Sequence, residues 1–227
     1  MFILLTALLV YELGGNRFAG ALAALAAATV PGNHVIFHYF SMNFIDLILW
    51  QVIIWLVLRA VKTKNANIWL IVGFVAGIGL MNKISILFLG AGMAAGLLLT
   101  GERRQLLQLK LWVSAGMAVL LFSPYVVRNA LNDWAAPEFM YNARACKMAD
   151  VTPLNFFIGQ LLYNNPINLL VWAAGLIFFL FHPQGRKYRL CGVFFLFLFV
   201  LFTIQEAKDY YLAAAYPILF AGGAVWW

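Results

Sequence analysis

Lys83 is the one charged residue in the 37 positions from Asn65 to Gly101. The chain reads NANIWLIVGFVAGIGLMN before it and ISILFLGAGMAAGLLLTG after it. A helix crossing about 30 Å of hydrocarbon needs about 20 such residues. In lipid, only helices and closed barrels satisfy every backbone N–H and C=O. The same texture continues along the chain, which is 65% hydrophobic and 10% charged. Soluble domains run near 45–50% and about 25%, so a water-soluble core of this size has no place for the excess. The expected fold is all-α, a polytopic transmembrane helix bundle. No stretch is polar enough for a separate soluble domain, so residues 1–227 are expected to form one membrane domain.

Apolar runs place about nine spans near 1–12, 18–32, 44–60, 66–82, 84–100, 110–128, 167–182, 190–204 and 210–227. The first resembles the second half of a membrane helix and has no basic n-region or cleavage site of a signal peptide. The chain is therefore expected to be a fragment. One long loop, 129–166, separates the sixth span from the seventh. Within it, Thr152 followed by Pro153 is a helix start. Leu154, Phe157, Ile158, Leu161 and Leu162 then recur at i, i+3, i+4, i+7 and i+8, with Asn155, Gln160 and Asn164 on the other side. An amphipathic helix over about 153–163 is expected to lie on the outer leaflet, floating at the interface or roofing a cavity. The spacings Gly73/Gly77 and Gly92/Gly96 predict close helix packing.

The net charge of +7 and the pI near 9.6 would suit nucleic acid in a soluble protein. Here the basic residues follow topology instead. Arg17; Arg59, Lys62 and Lys64; Arg103, Arg104 and Lys110; and Arg186, Lys187 and Arg189 fall in alternate short loops, which are assigned to the cytoplasmic side. The other five (Lys83, Arg128, Arg144, Lys147 and Lys208) are at outer ends, with the acids Asp46, Asp133, Glu138, Asp150, Glu206 and Asp209. Topology accounts for the inner face but not for this mixed, aromatic outer face, where a site is expected.

The apolar arm Ile68–Met81 is 14 residues, roughly 21 Å of helix. It falls short of the hydrocarbon thickness, so the tip at Asn82-Lys83 is expected to be recessed. An ammonium there either snorkels to the headgroups or has a partner or anionic ligand. Arg128 closes the sixth span and Lys208 opens the last, in QEAKDYYLAAAYP. Each alone reads as an interfacial anchor. Together the three cations suit a phosphate, which Arg grips bidentately and Lys as a point charge. Asp46, just inside the third span, could orient a sugar hydroxyl, hold a metal, or pair with a cation in a purely structural ion pair. His34 and His38 would share a helix face as metal ligands can, but no zinc motif accompanies them and they read as interfacial. Cys146 and Cys191 sit at different depths and are not expected to pair. No metal site is expected from spacing, and the absence of a glycine-rich phosphate loop argues against nucleotide-driven chemistry.

Six segments resemble, in order, parts of the bacterial membrane glycosyltransferases of family 39 type, relatives of the dolichyl-phosphate-mannose–protein mannosyltransferases and the aminoarabinose transferases. They are YELGGNRFAGALAALAA, FHYFSMNFIDLILWQ, GLMNKISILFLGAGMAAGLLLTGERR, SPYVVRNALNDWAAPEF, PLNFFIGQLLYNNPINLLVWAAGL and EAKDYYLAAAYPILFAGGA. The resemblance implies a GT-C fold in the bacterial inner (plasma) membrane with its active face outward. It implies transfer of a sugar from a polyprenyl-phosphate-linked donor to a lipid, glycan or protein acceptor. It places Lys83, Arg128 and Lys208 around the donor phosphate, and Asp46, Tyr210 and Tyr211 along the pocket. The family's catalytic carboxylate belongs to a first outer loop upstream of Met1. No catalytic residue is therefore expected in this chain, which alone should be inactive. A divalent metal is possible on the same ground. The competing class is a transporter or lipid flippase without covalent chemistry. Such proteins favour midplane sites in broken, repeated helices, whereas these charges gather at span ends and no repeat is visible.

Overall fold

The computed structural model describes residues 1–147 and 152–227, with the side chains of residues 140 and 143–147 left aside. Among the described residues there are twelve α-helices and no strand. They are α1 Phe2–Leu13, α2 Arg17–Ala28, α3 Pro31–His38, α4 Met42–Thr63, α5 Asn67–Asn82, α6 Ile86–Leu98, α7 Leu109–Leu131, α8 Ala135–Lys147, α9 Pro153–Tyr163, α10 Leu169–Leu180, α11 Arg189–Ile204 and α12 Tyr216–Trp226. The all-α membrane fold expected from the apolar runs is the fold observed.

Among the described residues, three helical stretches are long and apolar enough to cross a membrane alone: Met42–Thr63, Leu109–Leu131 and Arg186–Ile204, the last including a short 3-10 turn. Three further bent pairs raise that number to six if each counts as one span. The pairs are Arg17–Ala28 with Pro31–His38 at 66°, Ile86–Leu98 with Gly101–Leu107 at 115°, and Pro153–Tyr163 with Pro166–Leu180 at 95°. Local chemistry explains the first break. The Thr29 hydroxyl turns back onto the carbonyls of Leu25 and Ala26, and Pro31 brings no N–H to continue the ladder. A hydropathy window cannot see such a bend, so 18–32 reads as one straight span.

The chain packs around α12 and the 3-10 turns before it. Every residue from Leu212 to Ala224 is buried, against α1, α2 and α10. Glycines permit these approaches. A Cβ on Gly175 would strike the Leu219 carbonyl, and one on Gly223 the Val171 carbonyl. Gly73 and Gly77 rest on Ser114 and Leu121 of α7, and Gly92 and Gly96 on α11 at Phe194 and Leu190. Both glycine pairs are thus packing faces, as their spacing predicts. In contrast, α7 packs chiefly on α5 and leaves Trp112, Val119, Leu120 and Val127 exposed. Apolar exposure on this scale suits lipid rather than water.

The two ends of the bundle differ in chemistry. At one end Lys62 pairs with Glu12 at 3.2 Å and donates to its carbonyl at 2.8 Å, while the Tyr188 hydroxyl reaches the same carbonyl at 3.3 Å. Lys110 donates to Asn67 Oδ1 there, between loops that the charge pattern groups together. At the other end lie Asp46, Lys83 and the Lys208–Tyr211 turn.

Candidate functional site

The turn that carries Lys208 begins where α11 fails. Glu206 takes a left-handed conformation (φ 51°), and the Ala207 N–H returns to the Phe202 carbonyl at 3.0 Å. Lys208 is extended, and a 3-10 turn over Asp209–Tyr211 follows. Ala207 and Leu212, both buried, pin the turn at either side. The charged residues are therefore held at the bundle end by apolar neighbours on a short leash.

Facing this turn, α4 presents Asn43 and Asp46, three residues apart and so on one face. Lys83, at the α5–α6 corner, pairs with Asp46 Oδ2 at 3.3 Å and donates to Asn43 Oδ1 at 3.0 Å. The other Asp46 oxygen accepts from the Ser85 hydroxyl at 2.5 Å, and that hydroxyl accepts from the Trp50 indole at 3.3 Å. The Lys83 ammonium also lies 5.7 Å from the ring centres of Tyr210 and Tyr211, within cation–π range. The side chains of Lys83 and Asp46 are 18% and 5% exposed. Lys83 thus has a charge partner, one of the readings open from sequence.

Beside this network lies a cavity of about 600 Å³. Its wall includes Tyr39, Ser41, Asn43, Tyr163, Lys208 and Asp209, and Tyr210 also lines it. Lys208 Nζ has no ion pair or hydrogen bond among the described residues, unlike Lys83. Among the described residues Asp209 is the one acid on the cavity wall, and burial pushes its carboxyl pKa up.

Helix α9 reaches the cavity at Tyr163 and packs on the Asp209 turn with its polar and small residues rather than its apolar stripe. Thr152 caps it by accepting from the Asn155 N–H at 3.2 Å. Phe156, Gln160 and Asn164 are buried, whereas Leu154, Phe157, Ile158 and Leu162 are exposed. Gln160 donates to the Asp209 carbonyl at 3.1 Å, and the Asp209 carboxylate occupies the space where a Cβ on Gly159 would sit. Similarly, the Tyr163 ring fills the space above Gly32, and its hydroxyl donates to Asn33 Oδ1 at 3.1 Å. The bend after α9 is stitched to the bend after α2. Asn168 Nδ2 bonds the carbonyls of Ala26 and Asn164 at 3.0 and 2.8 Å and the Thr29 hydroxyl at 3.2 Å. The two bent pairs therefore hold each other, and together they set the position of Tyr163.

The structure brings Asp46, Lys83, Tyr210 and Tyr211 into direct contact, with Lys208 on the adjoining cavity wall. Arg128 lies exposed near the C-terminal end of α7 and does not line the cavity. His34 Nε2 is 2.7 Å from the Ala28 carbonyl, and His38 stacks edge-on against Tyr39. Among the described residues no three His, Cys, Asp or Glu side chains gather where a metal could sit. Cys191 is buried and free. Asp150 and the side chains of Arg144, Cys146 and Lys147 are outside the described residues. Sequence reading missed Asn43, Ser85, Tyr39 and Tyr163. Only the first two had a signal, Asn43 one turn before Asp46 and Ser85 two residues after Lys83.

Fold and cavity together define an all-helical membrane protein with a charged, tyrosine-walled pocket at one end of the bundle. The chain belongs to the dolichyl-phosphate-mannose-protein mannosyltransferase family, whose family model matches residues 1–127, more than half its length. The matched stretch contains Asp46 and Lys83, while Lys208, Tyr210 and Tyr211 lie beyond it. No curated protein and no solved structure matches the chain at a significant level. Membership makes it a glycosyltransferase of the kind that draws on polyprenyl-phosphate sugars in general.

Proposed function

We propose that this domain takes a sugar from a polyprenyl-phosphate-linked donor and passes it to a lipid, glycan or protein acceptor at the outer face of a bacterial inner membrane. The observation that carries the reading is Lys208. It is a cation on the wall of a cavity of about 600 Å³, with no counter-ion among the described residues and with Tyr210 beside it. A positive charge held without a partner in a half-enclosed site favours an anionic ligand, and a phosphate monoester or diester accepts a lysine as a point charge. Lys83 is already matched by Asp46, so its proposed part is to hold Tyr210 and Tyr211 in place and add to the positive field. Arg128, outside the cavity, is left out of the phosphate contacts proposed here.

Transfer breaks the bond from the anomeric carbon to the phosphate oxygen and forms one to the acceptor's hydroxyl oxygen, whose proton ends on the released phosphate or in solvent. Charge develops on the departing phosphate, and a fixed ammonium stabilises that charge without reorganising. The exposed apolar stripe of α9, Leu154, Phe157, Ile158 and Leu162, would seat the cavity rim in the leaflet where a polyprenyl tail resides. The test is sugar transfer from a polyprenyl-phospho-mannose by Lys208→Ala and Lys208→Arg variants of the full protein in membranes. Ala should lose transfer about 100-fold or more, and Arg should retain part of it. Wild-type transfer by the Ala variant would refute the phosphate contact.

A further inference from the structure

Asp209 is the side chain that this reading leaves without a task. It lies next to Lys208 in sequence, yet among the described residues the ion pairs are Lys62–Glu12 and Lys83–Asp46, and none joins these two. Apart from its own backbone N–H, no described group donates to its carboxylate. Of the outer-end acids, Asp46 is matched by Lys83 and Ser85. Asp133, Glu138 and Glu206 are exposed, and none of these four lines the cavity.

Its position is built rather than incidental. Gly159 is the α9 residue on which the carboxylate rests, and any side chain there would displace it. Gln160, 1% exposed, ties the Asp209 carbonyl to the same helix turn. The carboxylate thus rests against one turn of α9 at the edge of the cavity, part-buried, and among the described residues only its own backbone N–H donates to it. A part-buried carboxylate on a cavity wall can accept from a ligand or from water.

We propose that Asp209 selects the transferred group by accepting hydrogen bonds from hydroxyls of the sugar whose phosphate Lys208 holds. This rests on the donor-site reading above and adds the residue that distinguishes a glycosylated lipid phosphate from a bare one. A hydroxyl is a neutral donor, so it satisfies the carboxylate without placing another charge beside Lys208. The carboxylate has two oxygens and can receive two neighbouring hydroxyls at once. Desolvation, which raises its pKa, makes such an accepted bond stronger than it would be in water. Tyr39, Tyr163 and Tyr210 line the same cavity, and tyrosine, with an apolar body and a polar edge, suits a sugar ring.

The experiment compares two probes on the detergent-purified full protein: a polyprenyl phosphate, and the same lipid carrying mannose. Wild type should bind the mannose-bearing lipid more tightly. Asp209→Asn should weaken that lipid about ten-fold, since one hydrogen bond to a charged group is worth about a factor of ten or more, while the bare phosphate lipid, relieved of a neighbouring negative charge, should bind at least as tightly as to wild type. Gly159→Ala, which displaces the carboxylate without altering it, should cause the same selective loss. Retained binding of the bare lipid shows that either variant is folded. Asp209→Asn binding both lipids as wild type does would overturn the assignment, as would an equal loss for both. Failure of the donor-site reading has a different signature, in which Lys208→Ala binds the bare lipid as tightly as wild type.

Discussion

Replacing Asp46 with alanine should destabilise the bundle by about 2–4 kcal/mol. The ion pair to Lys83 is 3.3 Å long; at an effective dielectric of about 20 its attraction is about 5 kcal/mol before compensation. Removing one partner of a buried pair leaves the other charge uncompensated, which costs about 3–5 kcal/mol in other proteins. Two features lower the figure here. Lys83 keeps Asn43 at 3.0 Å and the two tyrosine rings at 5.7 Å, and its side chain is still 18% exposed. Ser85, however, also loses its acceptor. The measurement is reversible unfolding in mixed micelles for wild type, Asp46→Ala, Lys83→Met and the double variant. If the pair is coupled as its geometry requires, the double variant should lose about 2 kcal/mol less than the sum of the singles. Additivity within about 0.5 kcal/mol would refute the reasoning and reduce Lys83 to a snorkelling anchor.

Gly32→Ala should push the Tyr163 ring off its seat and cost about 1–3 kcal/mol by overpacking. Faster labelling of a cysteine placed at Leu162 would report the loosened α9, and an unchanged rate would count against it. Tyr216 is buried and its hydroxyl has no hydrogen-bond partner among the described residues, so Tyr216→Phe should leave unfolding stability equal or raise it by about 1 kcal/mol; a loss of that size would reveal a partner for the hydroxyl. Burial raises the Asp209 carboxyl above 3.8, so the folded state holds its proton to higher pH than the unfolded chain. Asp209 therefore costs stability once pH exceeds both values, and the cost fades as pH falls through the folded value. The stability gap between Asp209→Asn and wild type should accordingly widen as pH rises through the window above 3.8, and a flat gap would refute the shift.

Much of the architecture is legible in the chain itself because lipid leaves few alternatives. Apolar runs and the placement of Arg59, Lys62, Arg103 and Arg186 predict helices with one basic end, and Lys62, Glu12 and Tyr188 do meet there. The pairs Gly73/Gly77 and Gly92/Gly96 announce close packing that α7 and α11 supply. The bends resist the same reading, since Thr29-Val30-Pro31 and Asn164-Asn165-Pro166 look like loop or span according to window length alone. Their angles depend on side-chain bonds such as Asn168 to Ala26, 142 residues apart in sequence.

The sequence by itself determined that helices form, which residues are too polar for lipid, and that Lys83, Lys208 and the tyrosine pair belong to one end. Those properties are local, set by hydropathy and by charge placement. Only the tertiary structure decided that Lys83 is matched by Asp46 while Lys208 is not, because pairing depends on distances between α4, the α5–α6 corner and the turn before α12. It also decided that α9 turns Gly159, Gln160 and Asn164 toward the protein and its leucines away. Periodicity shows that a helix has two faces. Which face meets the bundle depends on what the bundle offers, and here it offers the backbone and carboxylate of Asp209.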